Sequence, residues 1–338
     1  MLNKVASDNG RGNAPLLEMN GLTKHFRVGG FFGKTLHALD DVDFALHGRE
    51  IVAVVGESGS GKSTLARLLA MVMKPTRGEI RFQGRPLERI VSRRDTLAYR
   101  GHVPMVFQDP YSSLNPVHTI GYTLDRGLIL HRPELSRAER EEEAARAVEA
   151  VGLSPARLTI TKYPHEMSGG QRQRVGFAQA LSYHPRLVLA DEPVSMLDVS
   201  IRIGVLNLMA RLCDDDGLSF LYITHDIASA RYVAHRVVVM YAGMVAETGP
   251  IEDVLHRPVH PYTQLLLSAV PDPRAPISVA AADIGEPPRI VDPSPGCRFR
   301  WRCPLAIARC GTETPALNDA APGHKAACHV TVARGSQR

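Results

Sequence analysis

A glycine-rich segment around Ser60 has the spacing of a phosphate-binding loop. The pattern G-x-x-x-x-G-K-[ST] is matched by Gly56, Glu57, Ser58, Gly59, Ser60, Gly61, Lys62, Ser63 and Thr64. Glycines lack a Cβ atom, so such a loop can turn its backbone N–H groups towards phosphate oxygens. In this pattern Lys62 would reach the β- and γ-phosphates of a nucleotide, and the Ser63 hydroxyl would bind Mg²⁺.

The residues on both sides of this loop favour the same interpretation. Ile51 to Val55 form a β-branched run that is typical of a strand buried in a parallel sheet. After the lysine, apolar residues recur at helical spacing, at Leu65, Leu68, Leu69 and Val72. The motif requires this strand–loop–helix context, and the start of the helix adds unpaired N–H donors for an anion. A glycine-rich turn that binds nothing would not explain why the strand, the helix, Lys62 and Ser63 all occur in the positions that the motif requires.

A pair of acidic residues could complete a metal and water site. Leu187 to Ala190 predict a second buried strand, which runs into Asp191, Glu192 and Pro193. Asp191 at the end of that strand could hold Mg²⁺ directly or through water. Glu192 would point at the terminal phosphate and act as general base for water. The alternative, a turn before Pro193 without chemistry, is disfavoured once the phosphate loop is granted.

A second glycine-rich stretch, Met167-Ser168-Gly169-Gly170-Gln171, opens a helix. Val175, Ala178 and Leu181 form the apolar stripe of that helix. The glycines are expected to leave the first N–H groups of the helix uncovered, and such a helix end binds anions. Because this chain's own phosphates are held at Gly56 to Thr64, the stretch predicts contact with the γ-phosphate of a second chain.

Taken in order, these motifs resemble those of the nucleotide-binding subunit of an ATP-binding-cassette (ABC) transporter, over about residues 16–260. The order is the phosphate loop, Gln108, MSGGQ, LADE, Asp198 and His225. The resemblance implies an α/β fold, a P-loop nucleotide hydrolase of ABC cassette type with an antiparallel β subdomain and a helical subdomain. It also implies that the protein is an ATPase that uses ATP and Mg²⁺.

The same resemblance assigns roles to individual residues. Gln108 would be the Q-loop glutamine, which touches Mg²⁺ and senses the membrane partner. Ser168, Gly169, Gly170 and Gln171 would be the signature that caps the γ-phosphate bound by the opposite subunit. Asp198 resembles the D-loop residue that links the two sites, and His225 the switch histidine that holds γ-phosphate and water.

Phe26 is the best candidate for the aromatic side chain that stacks on adenine. The resemblance places this role in Lys24-His25-Phe26. A core phenylalanine is the structural alternative, and Phe31 or Phe32 could take the same role.

Length and composition predict one large domain with additional segments. The chain has 338 residues and a formal net charge of +5, and no apolar run approaches the ~20 residues of a membrane helix. The first residues lack the apolar core of a signal peptide. We therefore expect the protein to stay in the cytoplasm, and the modest charge gives little support for a nucleic-acid partner. The resemblance implies that it is peripheral, on the cytoplasmic face of the cell membrane.

The predicted organisation has three parts. Residues 1–15 would be a flexible tail, residues 16–260 the nucleotide-binding domain and residues 261–338 a C-terminal extension. Antiparallel strands are expected between residues 16 and 50, and the helical subdomain at about residues 112–166. Within it, Ser136 and Glu139 have the spacing of a capping box, and Gly152 is expected to end that helix.

The cysteines give a second chemical signal. Four of the five lie in the extension, at Cys297, Cys303, Cys310 and Cys328, whereas Cys213 stands apart as an expected buried residue. Without an export signal, clustered cysteines are more often metal ligands than disulfides. Four thiolates suit an iron–sulfur cluster or Zn²⁺, and the lack of close C-x₂-C pairs favours iron–sulfur.

Segments of the extension resemble the tail of the dipeptide/oligopeptide/nickel importer branch of ABC ATPases. They are His260 to Thr263, Gly296 to Phe299, Arg302 to Pro304 and Ala327 to His329. In members of that branch the tail cysteines can hold a [4Fe–4S] cluster. The resemblance implies an ATPase that energises import of peptides or similarly sized solutes. Its partners would be two transmembrane permease subunits, a second ATPase subunit, identical or homologous, and an extracytoplasmic solute-binding protein.

Other functions stay open at this stage. The same ATPase role could serve nickel, oligosaccharide or opine uptake. A nucleic-acid-processing ABC ATPase would be expected to show tandem cassettes, a long coiled coil or a zinc insertion inside the cassette. The importer-type tail argues against an exporter.

Overall fold

Two β-sheets organise the chain in a computed structural model that describes residues 14–29, 33–109, 114–269 and 290–332. The strands are β1 (Leu17–Val28), β2 (Lys34–Leu46), β3 (Ile51–Val55), β4 (Arg77–Phe82), β5 (Arg85–Pro86), β6 (Met105–Val106), β7 (Leu187–Asp191), β8 (Ser219–Thr224), β9 (Arg236–Tyr241), β10 (Met244–Pro250), β11 (Asn318–Ala321) and β12 (His324–Ala326).

The helices pack on these sheets and on one another. They are α1 (Lys62–Leu69), α2 (Arg93–His102), α3 (Ile120–His131), α4 (Arg137–Ala150), α5 (Ala156–Thr159), α6 (Gly169–Leu181), α7 (Val199–Asp214), α8 (Ile227–Val233), α9 (Ile251–His256), α10 (Pro261–Ser268) and α11 (Arg309–Thr312). Short 3₁₀ turns lie at Leu87–Arg89 and Pro164–Glu166.

The smaller sheet is antiparallel and has the strand order β2-β1-β4-β5. Leu17, Met19 and Leu22 of β1 are buried in one core with Leu65 and Leu68 of α1. The sheet therefore packs over the helix that follows the phosphate loop. The antiparallel strands expected between residues 16 and 50 are confirmed.

The larger sheet has the order β11-β12-β10-β9-β3-β8-β7-β6. Its strands β9, β3, β8, β7 and β6 run parallel, and β10, β12 and β11 continue it as antiparallel strands at one edge. Every residue of β3 is buried, as expected for a parallel strand that is covered on both faces. The α/β fold class is confirmed.

Three helices, α3, α4 and α5, lie between β6 and α6, where the helical subdomain is predicted. Helix α4 begins with the expected capping box, because Glu139 N–H donates to Ser136 Oγ (3.3 Å) and Ser136 N–H donates to Glu139 Oε2 (2.7 Å). Gly152 follows its end with φ +74°, a left-handed conformation that favours glycine. The capping-box spacing and the glycine were therefore sufficient to predict where α4 begins and ends.

Helix α1 ends earlier than its apolar spacing predicts. Its last helical residue is Leu69, and Val72 lies beyond it with 62% of its surface exposed. The prediction that Val72 belongs to the buried stripe is therefore wrong.

The C-terminal extension completes the larger sheet. Its strand β12 pairs with β10 through Glu247↔Ala326 and Thr248↔Lys325, and β11 pairs with β12. The predicted boundary after residue 260 is thus crossed by a shared sheet. In the described part of the chain, no helix combines the length and apolar character needed to cross a membrane.

Candidate nucleotide-binding site

The phosphate loop connects β3 to α1, and its glycines are required by close packing. A Cβ atom on Gly56 would lie 2.2 Å from the carbonyl oxygen of Met240 on β9. Gly61 has φ +103°, and its Cβ atom would lie 2.6 Å from the carbonyl oxygen of Ala38 on β2. Larger residues would have to push the loop away from the strands that hold it.

Lys62 lies inside this loop. Its side chain is buried, and Nζ donates to the carbonyl oxygens of Gly56 (2.7 Å) and Glu57 (2.9 Å). Burial lowers the pKa of Lys62, although the nearby carboxylates of Glu192 and Asp191 oppose that shift. The ammonium group is thus fixed beside the backbone N–H groups that would receive phosphate.

Asp191 and Ser63 have the character of a magnesium site. Burial and the neighbouring Glu192 raise the pKa of Asp191, and a hydrogen bond from Ser63 opposes that shift. Asp191 Oδ1 is buried without a hydrogen-bond partner among the described residues. Mg²⁺ prefers oxygen ligands, so this carboxylate and the Ser63 hydroxyl fit the ion, which would neutralise phosphate charge when nucleotide is bound.

Glu192 is the centre of a hydrogen-bonded group. Its Oε2 lies 3.1 Å from Gln108 Nε2, which donates to it, and 3.2 Å from His225 Nδ1. The Glu192 backbone has φ +47°, which is uncommon for a residue other than glycine. Its N–H donates to Ile223 O on β8 (2.9 Å), so the neighbouring strand holds this turn. The structure brings together the three residues predicted to be catalytic.

The signature segment contains a difference from the sequence prediction. Ser168 is the N-cap of α6, since its Oγ accepts from Gln171 N–H (3.3 Å) and its own N–H donates to Gln171 Oε1 (3.0 Å). The expectation that the first N–H groups are uncovered is therefore wrong for Gln171. A Cβ atom on Gly170 would lie 2.3 Å from Ile201 Cγ2, so glycine lets α6 approach α7 closely.

Helix α6 also contacts the segment that carries Gln108. Gln173 Nε2 donates to the carbonyl oxygen of Phe107 at 3.2 Å. The signature helix and the Q-loop are therefore joined by a direct hydrogen bond.

Phe26 and Asp198 lie outside the hydrogen-bonded group around Glu192. Phe26 is half-buried on β1, with Lys24 Nζ 5.1 Å from its ring centroid. Asp198 is exposed at the N-cap position of α7, where its side chain makes no capping hydrogen bond. Their adenine and D-loop roles stay predictions, and the competing Phe31 and Phe32 lie outside the described residues.

Two residues of the extension contact the phosphate loop, and sequence reasoning gave them no role. Tyr262 OH accepts from the N–H of Glu57 at 2.9 Å, and Arg302 forms an ion pair with the Glu57 carboxylate at 2.9 Å. Both occur in segments that carried the resemblance to the importer branch. Arg302 and Glu57 are 245 positions apart in the chain. Residue types and spacing along the sequence do not indicate such a contact.

The cysteines of the extension are neighbours. Cys297 N–H donates to Cys310 O at 2.8 Å. Burial raises the pKa of Cys297 to about 11, and the negative charges of the neighbouring Cys310, Cys303 and Cys328 thiolates would act in the same direction. Cys213 is buried in α7, as predicted.

The spacing of these thiols bears on the metal they could hold. In the described ranges, no three cysteine sulfur atoms lie within 4.8 Å of one another, a spacing that is met by His25, His37 and Asp40. A single Zn²⁺ with Zn–S bonds of about 2.3 Å would require thiolates that close. The iron–sulfur cluster and Zn²⁺ both stay predictions for these four cysteines.

Comparison with known proteins agrees with this site. The family model for ABC transporters matches residues 39–195, and the model for the oligopeptide/dipeptide transporter C-terminal region matches residues 246–310. A putative peptide import ATP-binding protein of Brucella ovis is 44% identical over 318 residues, covering 93% of this chain and 97% of the relative. A putative oligopeptide transport ATP-binding protein of Bacillus subtilis is 40% identical, covering 94% and 95%.

Solved structures give the same result for the fold. A dimeric bacterial ABC transporter cassette superposes with a TM-score of 0.62 and 28% identity, covering 70% of this chain and 98% of that one. Together with the relatives, whose similarity extends through the C-terminal region, this similarity decides the family. The chain belongs to the ATP-hydrolysing subunits of ABC transporters, in the branch that carries the oligopeptide/dipeptide-type C-terminal region.

Proposed function

We propose that this ATPase energises the import of peptides or similarly sized solutes. The observation that carries the proposal is similarity to peptide and oligopeptide import ATP-binding proteins over more than nine-tenths of the chain. That similarity includes the extension, which the fold joins to the nucleotide-binding sheet through β10 and β12.

The site supports a simple mechanism for hydrolysis. The loop N–H groups and Lys62 bind the phosphates, while Asp191 and Ser63 would hold Mg²⁺. A water between Glu192 and the terminal phosphate attacks phosphorus, its proton passes to the Glu192 carboxylate, and the bond to the leaving ADP oxygen breaks. Gln108 and His225 orient Glu192 through their hydrogen bonds to Oε2.

A cleft beside Gln108 is the proposed docking place for a permease subunit. The cleft has a volume of about 320 Å³ and lies between the ends of α1 and α2, strand β6 and helix α6. Phe107 and Val72 line it with 54% and 62% of their surfaces exposed. Because Gln108 follows Phe107 and donates to Glu192, a segment docked here could alter the position of the general base.

A second ATPase subunit, identical or homologous, would complete each site. The signature at Ser168 to Gln171 would contact the γ-phosphate held by that second chain, and Asp198 would lie between the two sites. In this proposal the assembly sits on the cytoplasmic face of the membrane beneath two permease subunits. A solute-binding protein on the other face delivers the cargo.

The extension is proposed to hold a [4Fe–4S] cluster through Cys297, Cys303, Cys310 and Cys328. Their mutual proximity supports this proposal, and four cysteine ligands are the usual set for such a cluster. Iron and sulfide analysis with visible absorption of anaerobically purified protein tests it, because a colourless protein that contains zinc and no iron would contradict it.

Reconstitution in liposomes tests the transport function. The chain is assembled with its cognate permease and partner ATPase subunits, and ATP hydrolysis is measured with the binding protein, with and without peptides. We expect hydrolysis to require the permease and to rise with peptide-loaded binding protein. Stimulation by nickel, oligosaccharide or opine instead would overturn the peptide assignment, and stimulation by DNA or ribosomes without permease would overturn the transport function.

A further inference from the structure

Glu57, the second residue of the phosphate loop, is held by the C-terminal extension from two directions. Its backbone N–H donates to Tyr262 OH at 2.9 Å. Its carboxylate accepts hydrogen bonds from both terminal nitrogens of Arg302, from Nη1 to Oε2 at 2.9 Å and from Nη2 to Oε1 at 3.1 Å. A bidentate pair of this kind fixes orientation as well as adding energy.

Arg302 is itself fixed by the aromatic residues around it. Nη1 also donates to Tyr241 OH at 3.3 Å, and the guanidinium carbon lies 5.7 Å from the Tyr241 ring and 5.9 Å from the Phe299 ring. Only 12% of the Arg302 side chain is exposed. The guanidinium is therefore held in place by protein groups alone.

The carbonyl group of Glu57 connects this contact to the phosphate-binding lysine. Lys62 Nζ donates to Glu57 O at 2.9 Å. The extension thus holds the N–H and the carboxylate of Glu57, while Lys62 is held by its carbonyl oxygen. A rotation of Glu57 would move a loop N–H group and the ammonium group together.

The same segment of the extension supports the other end of the loop. Arg298 donates to Ala242 O and pairs with Asp40. The adjacent Gly243 N–H donates to Ser60 O of the loop at 3.0 Å. Arg302 therefore contacts the phosphate loop directly, whereas Arg298 contacts the residue before Gly243, which binds the loop at Ser60.

We propose that Arg302 and Tyr262 are positioning residues for nucleotide binding. Tyr262 holds the backbone N–H of Glu57, and Arg302 holds and neutralises its carboxylate on the phosphate loop. The proposal rests on the nucleotide site and not on the transported solute. Loss of Arg302 would leave an unneutralised carboxylate on the phosphate loop and free the Glu57 side chain to rotate.

The test measures MgATP affinity in the full chain and kcat in the assembled transporter. Arg302→Met should weaken MgATP binding about tenfold, as expected for loss of a charge-assisted pair, and leave kcat at saturating ATP near the unaltered rate. Arg309→Met is the matched control, because Arg309 pairs with Glu313 on an exposed face of the extension at 2.7 Å. The control should bind MgATP as the unaltered chain does.

A double-mutant comparison separates positioning from a general loss of stability. Glu57→Gln removes the charge that Arg302 neutralises, so Glu57→Gln with Arg302→Met should bind MgATP more tightly than Arg302→Met alone. Thermal unfolding of each variant is recorded in parallel. Unchanged MgATP affinity in a folded Arg302→Met protein, or no recovery in the double variant, would overturn the proposal.

The hydroxyl group of Tyr262 allows an independent test, because Tyr262→Phe removes a single oxygen atom. Tyr262→Phe deletes the acceptor for Glu57 N–H inside a fully buried site and should weaken MgATP binding by about threefold, as expected for one neutral hydrogen bond. Tyr222→Phe is the control, since it loses a buried hydroxyl bonded to Ser229 Oγ at 2.8 Å. Equal MgATP affinities in the two variants would contradict a positioning role for Tyr262.

Discussion

At the scale of single residues, the chemistry depends on side chains that follow three neighbouring strands. Gln108 follows β6, Glu192 follows β7 and His225 follows β8, and these strands are adjacent and parallel in the larger sheet. The carboxyl ends of parallel strands meet at one edge, where such sheets bind ligands. The hydrogen bonds at Glu192 are therefore a direct consequence of strand order.

Lys62 gives a prediction at this scale. Lys62→Met keeps the length of the side chain but removes the cation that faces the phosphates. A charge-assisted hydrogen bond contributes about 1.5–3 kcal/mol, so the dissociation constant for MgATP should rise by about 10- to 100-fold. Calorimetric titration of the purified chain measures it.

Lys325→Met is the control for this measurement. Lys325 is an exposed residue of β12 near Asp319, so its loss should leave MgATP affinity unchanged. Equal affinities in the Lys62→Met and control variants would mean that Lys62 does not bind phosphate.

At the scale of secondary-structure elements, a buried carboxylate joins the extension to the main sheet. Glu247 of β10 accepts from the N–H groups of Val259 (2.8 Å) and His260 (2.9 Å), and it lies 2.6 Å from His324 Nε2 of β12. Its side chain is fully buried, so these partners offset the cost of removing it from water. Strand β10, the start of α10 and strand β12 are therefore held by one side chain.

His260 predicts how this junction responds to acid. Burial lowers the pKa of His260 to about 4, and its neutral Nδ1 accepts from Tyr262 N–H at 3.0 Å. Between the ordinary pKa of 6.5 and that value, the unfolded chain binds a proton that the folded chain does not. The free energy of unfolding should therefore decrease as the pH is lowered. From this group alone it should be about 2 kcal/mol smaller at pH 5 than at pH 7.

Urea unfolding at the two pH values measures this contribution in a variant and a control. His260→Asn keeps an acceptor for Tyr262 N–H but does not titrate, so its loss of stability in acid should be smaller by about 2 kcal/mol. His165→Asn, at an exposed histidine in the turn before α6, should show the acid dependence of the unaltered protein. Identical acid dependence in the His260→Asn and unaltered proteins would contradict this account.

At the scale of the whole molecule, the features that the sequence predicted are those that depend on residues close together in the chain. The phosphate loop, the capping box at Ser136 and the buried strands depend on residues near one another in the chain. The family resemblance added the order of the catalytic residues. These predictions required no knowledge of which element packs against which.

Contacts between distant segments could not be predicted in the same way. An alternating or apolar run indicates a strand but not its neighbour, so the pairing of β12 with β10 was missed. The ion pair of Arg302 with Glu57 was missed for the same reason. The cap on Gln171 is encoded locally, because Ser168 and Gln171 have capping-box spacing and the glycines between them do not prevent it.

The most direct test of the account is the rate of ATP hydrolysis by a Glu192→Gln variant in the assembled transporter. The amide keeps the shape of the side chain but cannot accept the proton of water. Hydrolysis should fall by about 10²- to 10⁴-fold with MgATP affinity preserved, whereas Glu141→Gln on the exposed face of α4 should hydrolyse normally. A Glu192→Gln transporter that hydrolyses ATP at the unaltered rate would contradict the assignment of the general base.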